Sequence, residues 1–320
     1  MEEQLILVAA HSRAALQRRR SREKGIFGVA HIVFIGLGNM GRPMAANLQK
    51  ANHSVTGFDL SAGARAAAAE AGLKVAASED GLFAGADVVI TMLPSGAAVR
   101  EVWSRAVPQM APGALMIDSS TIDVTSSRVA HDLAAAAGLL SLDAPVSGGT
   151  EGATAGTLTF MAGGTDEAFA VGQPLLAAMG RRIVHCGGPG NGEVAKICNN
   201  MILGVSMIAV SEAFNLAESL GLSHQALFEV ASTSSGQCYA LTTHCPVPGP
   251  VPTASANRGY TPGFATELMA KDLRLSQEAA DASGSRTPLG AAAEDIFGRY
   301  AANGGRGRDY SAVISYLKTL

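Results

Sequence analysis

Residues 34–48 read FIGLGNMGRPMAANL. A run of apolar residues of strand character meets Gly36, Gly38 and Gly41 and passes directly into an Ala- and Leu-containing helical pattern. Each glycine has a separate mechanical reading. Gly36 turns the chain sharply off the strand, Gly38 keeps a side chain out of the way of an approaching pyrophosphate, and Gly41 allows the helix to pack closely on the sheet. The new helix presents free N–H groups and the positive end of its dipole to phosphate. Pro43 is tolerated because the first-turn N–H groups have no intrahelical partner. The loop Gly36, Leu37, Gly38, Asn39, Met40, Gly41 is therefore read as a dinucleotide cradle. Asp59 closes the next strand, 23 residues beyond Gly36, where a carboxylate bonds ribose hydroxyls and repels a 2′-phosphate. That favours NAD over NADP.

Working outward, short apolar runs recur at HIVFI (31–35), SVTGFDL (54–60), DVVITML (87–93), ALMID (114–118) and LLSLDAPV (139–146), separated by Ala-rich helical stretches. Strands alternating with helices predict a doubly wound Rossmann-type parallel sheet, covered by helices on both faces. TLTFMAGG (157–164) and RRIVHC (181–186) extend its far edge. The pattern changes after Gly190. Residues 191–222 predict one helix of about 30 residues, roughly 45 Å long at 1.5 Å per residue. It is apolar on most faces and so expected to be buried. Helices follow, interrupted by a Pro-rich loop over 245–264. The expected organisation is an extension over 1–29 that is disordered or not native, a NAD-binding Rossmann-type domain over 30–190, and an all-helical substrate and oligomerisation domain over 191–320, linked by the long helix.

The bulk composition excludes several classes. The net charge is -3, which gives no electrostatic case for nucleic acid or an anionic membrane surface as partner. Only 16% of residues are charged, below the usual ~25%, which suits surface covered in an oligomer. No stretch reaches the ~18 consecutive apolar residues of a membrane span; Val194–Val210 is broken by Lys196, Asn199, Asn200 and Ser206. Cys186, Cys198, Cys238 and Cys245 form neither a C-x-x-C pair nor a zinc-ligand spacing, and read as reduced intracellular thiols. The scattered histidines read as structural or surface residues, and no metal is expected. The Arg-rich start imitates a mitochondrial presequence, but Glu2, Glu3 and Glu23 argue against that.

Lys196 and Asn200 are spaced i, i+4 and share one face of the long helix just after the boundary. Val194, Ile197, Cys198 and Met201 surround the lysine in sequence. Burial there disfavours the ammonium form and suits Lys196 to exchange a proton with a hydroxyl. Ser147, Gly148 and Gly149 offer a hydroxyl and unhindered N–H groups, a nest for a carboxylate. Ser120 and Thr121 end a strand at the carboxyl edge of the sheet, where ligands of open α/β sheets bind, although helix capping would use the same residues.

Four blocks in order, FIGLGNMGRPMAANL, DAPVSGGTEGATAGTLTFMAGG (143–164), GNGEVAKICNNM (190–201) and LMAKDLRLSQEA (268–279), resemble the β-hydroxyacid dehydrogenase family over about residues 30–318. The segment 234–252 is similar to its hydroxyisobutyrate branch. The resemblance implies that Lys196 is the catalytic lysine, that Ser147, Gly148, Gly149 and Asn200 bind substrate with Ser120 beside them, and that Leu93, Pro94, Thr121 and Lys271 contact the cofactor. Ala98 departs from the family, which often has Asn or His there. The implied activity is oxidation of 3-hydroxyisobutyrate to methylmalonate semialdehyde with NAD, a step of valine catabolism. It would take place in a bacterial cytoplasm or, in a eukaryote, the mitochondrial matrix, and in a homodimer or homotetramer. Alternatives are another small 3-hydroxy acid, such as tartronate semialdehyde, glycerate or 3-hydroxypropionate, or a non-catalytic dinucleotide sensor on the same fold.

Overall fold

The computed structural model describes residues 28–320. The expectations for the extension therefore fall almost wholly outside the described residues. The elements run β1 (His31–Ile35), α1 (Gly41–Lys50), β2 (Ser54–Phe58), α2 (Ala62–Glu70), β3 (Lys74–Val75), β4 (Val88–Thr91), α3 (Gly96–Ala106), β5 (Leu115–Asp118), α4 (Val124–Ala136), β6 (Leu140–Asp143), β7 (Val146–Ser147), α5 (Gly149–Ala155), β8 (Leu158–Gly164), α6 (Asp166–Ala177) and β9 (Gly180–His185). Helices follow: α7 (Asn191–Ser219), α8 (His224–Ala231), α9 (Tyr239–Thr242), α10 (Thr266–Ser283), α11 (Pro288–Tyr300) and α12 (Val313–Leu317). The chain divides into two compact units, with the boundary between Glu193 and Val194, three residues beyond Gly190.

The first unit is built on a sheet of order β3-β2-β1-β4-β5-β6-β8-β7, with β9 on β8. The strands from β3 to β6 run parallel. Alternation sets the two faces of β1: Ile32 and Phe34 join Met44, Leu48 and Leu115 in one buried layer, and Val33 and Ile35 join Val89, Trp103 and Met116 in the other. With both faces covered by helices, these strands are near-continuous apolar runs. The far edge departs from the purely parallel expectation. β8 runs antiparallel to both β6 and β7. The link from β6 to β8 holds only β7 and the short α5, and β8 comes back against the strands it has just left. β9 then pairs parallel to β8 after the crossover helix α6.

The second unit packs helices around Met207, Met269, Leu273, Phe297 and Tyr310, with a neighbouring cluster of Phe214, Leu241, Cys245, Val247 and Ile314. Helix α7 has the expected length but not the expected burial. Met207 and Phe214 are enclosed, whereas Ile202 and Leu216 are 65% and 61% exposed, and Leu220, just past the end of the helix, is 77% exposed. The unit supplies packing partners for part of the helix only, and the apolar residues around it outnumber those partners. By length and composition α7 would also suit a membrane span, with a mean hydropathy of 1.5 over its best window. The buried Glu193, Lys196 and Asn200 at its start and its enclosed large side chains favour a core helix instead.

Prolines over 245–264 cannot donate backbone hydrogen bonds, so side chains hold that loop. Tyr260 donates its hydroxyl to the Pro246 carbonyl (2.8 Å) and Asn257 its amide to the Val251 carbonyl (2.7 Å). The main anchor is Asp309, fully buried. It accepts from His244 Nε2 (2.7 Å), from the N–H groups of Gly263 (3.0 Å) and Phe264 (3.2 Å), and from the Ser311 hydroxyl (2.7 Å) and N–H (3.1 Å). Burial alone would raise its pKa; the hydrogen bond and charge of His244 and the Ser311 bonds outweigh it and hold the carboxyl at about 2.

Candidate functional site

In the first unit the glycine loop leaves β1 as its spacing requires. Gly36 has φ +96°, and a Cβ there would lie 2.2 Å from the Met92 carbonyl oxygen. A Cβ on Gly41 would lie 1.8 Å from the Gly36 oxygen and 3.0 Å from the Phe34 ring. Gly38 differs: nothing lies within 4 Å of its added Cβ. The fold itself does not need glycine at 38, so the open space there is a cradle that a side chain would fill. Helix α1 begins after Met40 without a side-chain cap. Arg42 gives its N–H to the Gly38 carbonyl (3.2 Å) and Pro43 has none, so what the helix start offers an anion is an end clear of capping side chains and the positive pole of the dipole. These features fit a bound dinucleotide. Gly38→Ala is expected to leave the melting temperature unchanged while weakening NADH binding about tenfold or more, because the methyl group occupies phosphate space. Gly41→Ala should instead cost roughly 3 kcal/mol or more of stability through overpacking. Equal losses of stability in the two variants would remove this distinction.

Asp59 follows β2. Its Oδ2 accepts the Leu37 N–H (2.8 Å) and its Oδ1 the Ser61 N–H (2.7 Å), so the acid is tied to the glycine loop itself.

A buried polar chain sets the next two loops. Asp118, at the end of β5, accepts the hydroxyls of Thr91 (2.7 Å) and Ser120 (2.6 Å). Trp103 Nε1 donates to Thr91 Oγ1 (3.2 Å), and the Leu93 N–H donates to the Ser120 hydroxyl (2.7 Å). Ser120 thus fastens the segment bearing Leu93 and Pro94, and its proton is committed to Asp118. Burial pushes the Asp118 carboxyl up to about 6, opposed by the Ser120 and Thr91 bonds and assisted by the charge of Asp143. The helix cap that competed for Ser120 and Thr121 goes to Asp123, which accepts the Ser126 N–H (2.7 Å). Asp118 was missed in the sequence because it reads as the last residue of an apolar strand.

Ser147 ends β7 and is half-buried, and Gly148 and Gly149 follow with φ of +134° and +60°. A Cβ on Gly148 would come within 3.2 Å of Leu158. Upstream, Asp143 accepts the Gly190 and Glu193 N–H groups (2.9 Å each) and pairs with His131 Nε2 (2.8 Å), which ties the start of α7 to β6. Ala98 donates its N–H to the capping Ser95 hydroxyl (3.3 Å).

In the second unit Lys196 and Asn200 lie one turn apart on α7, 6% and 2% exposed. The Asn200 amide is fixed at both ends: it donates to Asp272 Oδ2 on α10, and its oxygen accepts from Asn199 Nδ2 (2.9 Å). Lys271 Nζ lies 3.7 Å from Asp272 Oδ1. Asp272, buried between the amide and the ammonium group, is a second acid the sequence reading passed over, although its place beside Lys271 was a signal. Among the described residues no group of three or more His, Cys, Asp or Glu side chains could hold a metal ion.

The chain is similar to known proteins over most of its length. Residues 31–188 match the family model for the NAD binding domain of 6-phosphogluconate dehydrogenase. Residues 190–317 match that for the NAD-binding domain of NADP-dependent 3-hydroxyisobutyrate dehydrogenase. A probable 3-hydroxyisobutyrate dehydrogenase of Mycobacterium tuberculosis is 51% identical over 287 residues, 90% of this chain and 97% of the relative. An NAD-dependent L-serine dehydrogenase of Pseudomonas aeruginosa is 47% identical over 285 residues, 88% of this chain and 96% of its own. The solved structure of M. tuberculosis 3-hydroxyisobutyrate dehydrogenase with L-serine has a TM-score of 0.88 at 50% identity, covering 91% of this chain and 99% of its own. The chain belongs to the β-hydroxyacid dehydrogenase family and is an oxidoreductase that uses a nicotinamide dinucleotide.

Proposed function

We propose that the protein oxidises 3-hydroxyisobutyrate to methylmalonate semialdehyde, using NAD rather than NADP. The observation that carries the reading is a buried lysine one helical turn from a buried, doubly fixed amide, in a chain of this family. Lys196 takes the proton of the substrate hydroxyl on oxidation and returns it on reduction. The Ser147 hydroxyl and the Gly148 and Gly149 N–H groups bind the carboxylate, and Asn200, oriented by Asp272, aligns the substrate. The glycine loop holds the pyrophosphate, Asp59 the adenosine ribose, and Leu93, Pro94, Thr121 and Lys271 the remainder of the cofactor. Bound there, the nicotinamide dinucleotide supplies the acceptor for a hydride. The exposed apolar residues of α7 support assembly into a homodimer or homotetramer, and the bacterial source of the similar chains suits a cytoplasmic setting.

A second reading, oxidation of L-serine, is favoured by the 47% identical L-serine dehydrogenase. Both substrates carry a hydroxymethyl group beside a carboxylate-bearing carbon and differ in a methyl or ammonium substituent. Initial rates of NADH formation with 3-hydroxyisobutyrate, L-serine, D-glycerate and 3-hydroxypropionate separate them. The expected kcat/KM for 3-hydroxyisobutyrate exceeds that for L-serine by about tenfold or more, the scale on which a pocket resolves one substituent. A ratio in the other direction would transfer the assignment to L-serine.

A further inference from the structure

Beside Asp59 stands a second charged group. Arg65 lies in the first turn of α2 and folds back onto the end of β2. Its Nη1 donates to the carbonyl oxygens of Asp59 (2.6 Å) and Leu60 (3.1 Å). Its guanidinium carbon sits 5.6 Å from the centroid of the Phe58 ring. Two carbonyls and one ring thus fix a side chain that is ordinarily mobile, and much of the entropy cost of using it is already met. The anchors are independent of the Asp59 carboxylate, which is held by the N–H groups of Leu37 and Ser61. Replacing that carboxylate would therefore leave the guanidinium seated. Dinucleotide sites of this architecture distinguish their cofactors at this corner: an acid bonds the ribose 2′-hydroxyl, whereas an arginine accepts a 2′-phosphate. This chain carries both groups.

We propose that Arg65 is a second cofactor-choice residue, a ready-made partner for a 2′-phosphate that Asp59 overrides. The inference rests on the assignment of Asp59 to the adenosine ribose. With the acid in place, its charge repels the phosphate and NAD is preferred. Without it, the seated guanidinium faces the phosphate unopposed, and no arginine has to be introduced to obtain NADP binding.

The test is a set of dissociation constants for NADH and NADPH, read by fluorescence, for the wild type, Asp59→Asn, Asp59→Asn/Arg65→Gln and Asp59→Asn/Arg65→Lys. Thermal melts check that each variant is folded. Asp59→Asn should lower the NADPH/NADH ratio of dissociation constants by about tenfold or more, since like-charge repulsion at close range is removed. Adding Arg65→Gln should reverse most of that gain. Arg65→Lys keeps the charge and should retain a share of the gain that shrinks as salt is raised, which a merely structural arginine would not produce. Equal ratios in Asp59→Asn and Asp59→Asn/Arg65→Gln would overturn the role of Arg65 while leaving that of Asp59 standing. An unmoved ratio in Asp59→Asn would overturn both. Because no hydroxy acid is present, neither result depends on which substrate is oxidised.

Discussion

Lys196→Ala should lower turnover by roughly 10²–10⁴, the usual scale for losing a general acid/base. The variant keeps the glycine loop and Asp59, so NADH affinity should hardly change. Lys196→Arg separates two explanations of that loss. It keeps a positive charge but gives up a proton only above a pKa of ~12. It should be nearly as inactive as the alanine variant, whereas a purely electrostatic role would predict rescue. Lys196 is buried within one helical turn of Asn200, and retention of more than about a tenth of wild-type turnover, far above the expected residue, would remove it from the proton path.

Removal of Asp309 should give the largest loss of stability. Asp309→Ala leaves His244 and the N–H groups of Gly263, Phe264 and Ser311 without their acceptor. Removing one partner of a buried pair costs roughly 3–5 kcal/mol. The effect has a pH signature. The folded carboxyl titrates at about 2 and the unfolded one near 3.8, so the stabilisation is present above pH ~4 and is lost as pH falls toward ~2, amounting to roughly 2–2.5 kcal/mol by linkage. Urea unfolding of the wild type and Asp309→Asn across this range should show the gap between them narrowing with acid. A gap that is constant from pH 6 to 2.5 would mean that the charge of Asp309 contributes nothing.

The parts of this molecule that could be read in the sequence are those whose partners are close along the chain. Gly36, Gly38 and Gly41 serve a turn only six residues long, and Lys196 and Asn200 are related by one turn of helix. Asp118 depends on Thr91, Asn200 on Asp272 and Asp309 on His244, pairs separated by 27, 72 and 65 residues. No local pattern announces such bonds. Arg65 is near Asp59 in sequence, yet an arginine in a helical first turn ordinarily reads as a solvated surface residue. The antiparallel return of β8 was hidden for another reason, since an apolar run of strand length has no preferred direction. The burial of α7 was overestimated because composition gives the apolar surface of a helix but not the supply of neighbours to cover it.

The central claim is hydride transfer from the hydroxymethyl carbon of a small 3-hydroxy acid. Its most direct test is to turn over 3-hydroxyisobutyrate carrying deuterium at both hydrogen positions of that carbon with NAD and to weigh the recovered reduced cofactor. The account predicts one deuterium gained per molecule of cofactor reduced. Reduced cofactor free of deuterium, or none formed with any 3-hydroxy acid of the panel, would contradict it.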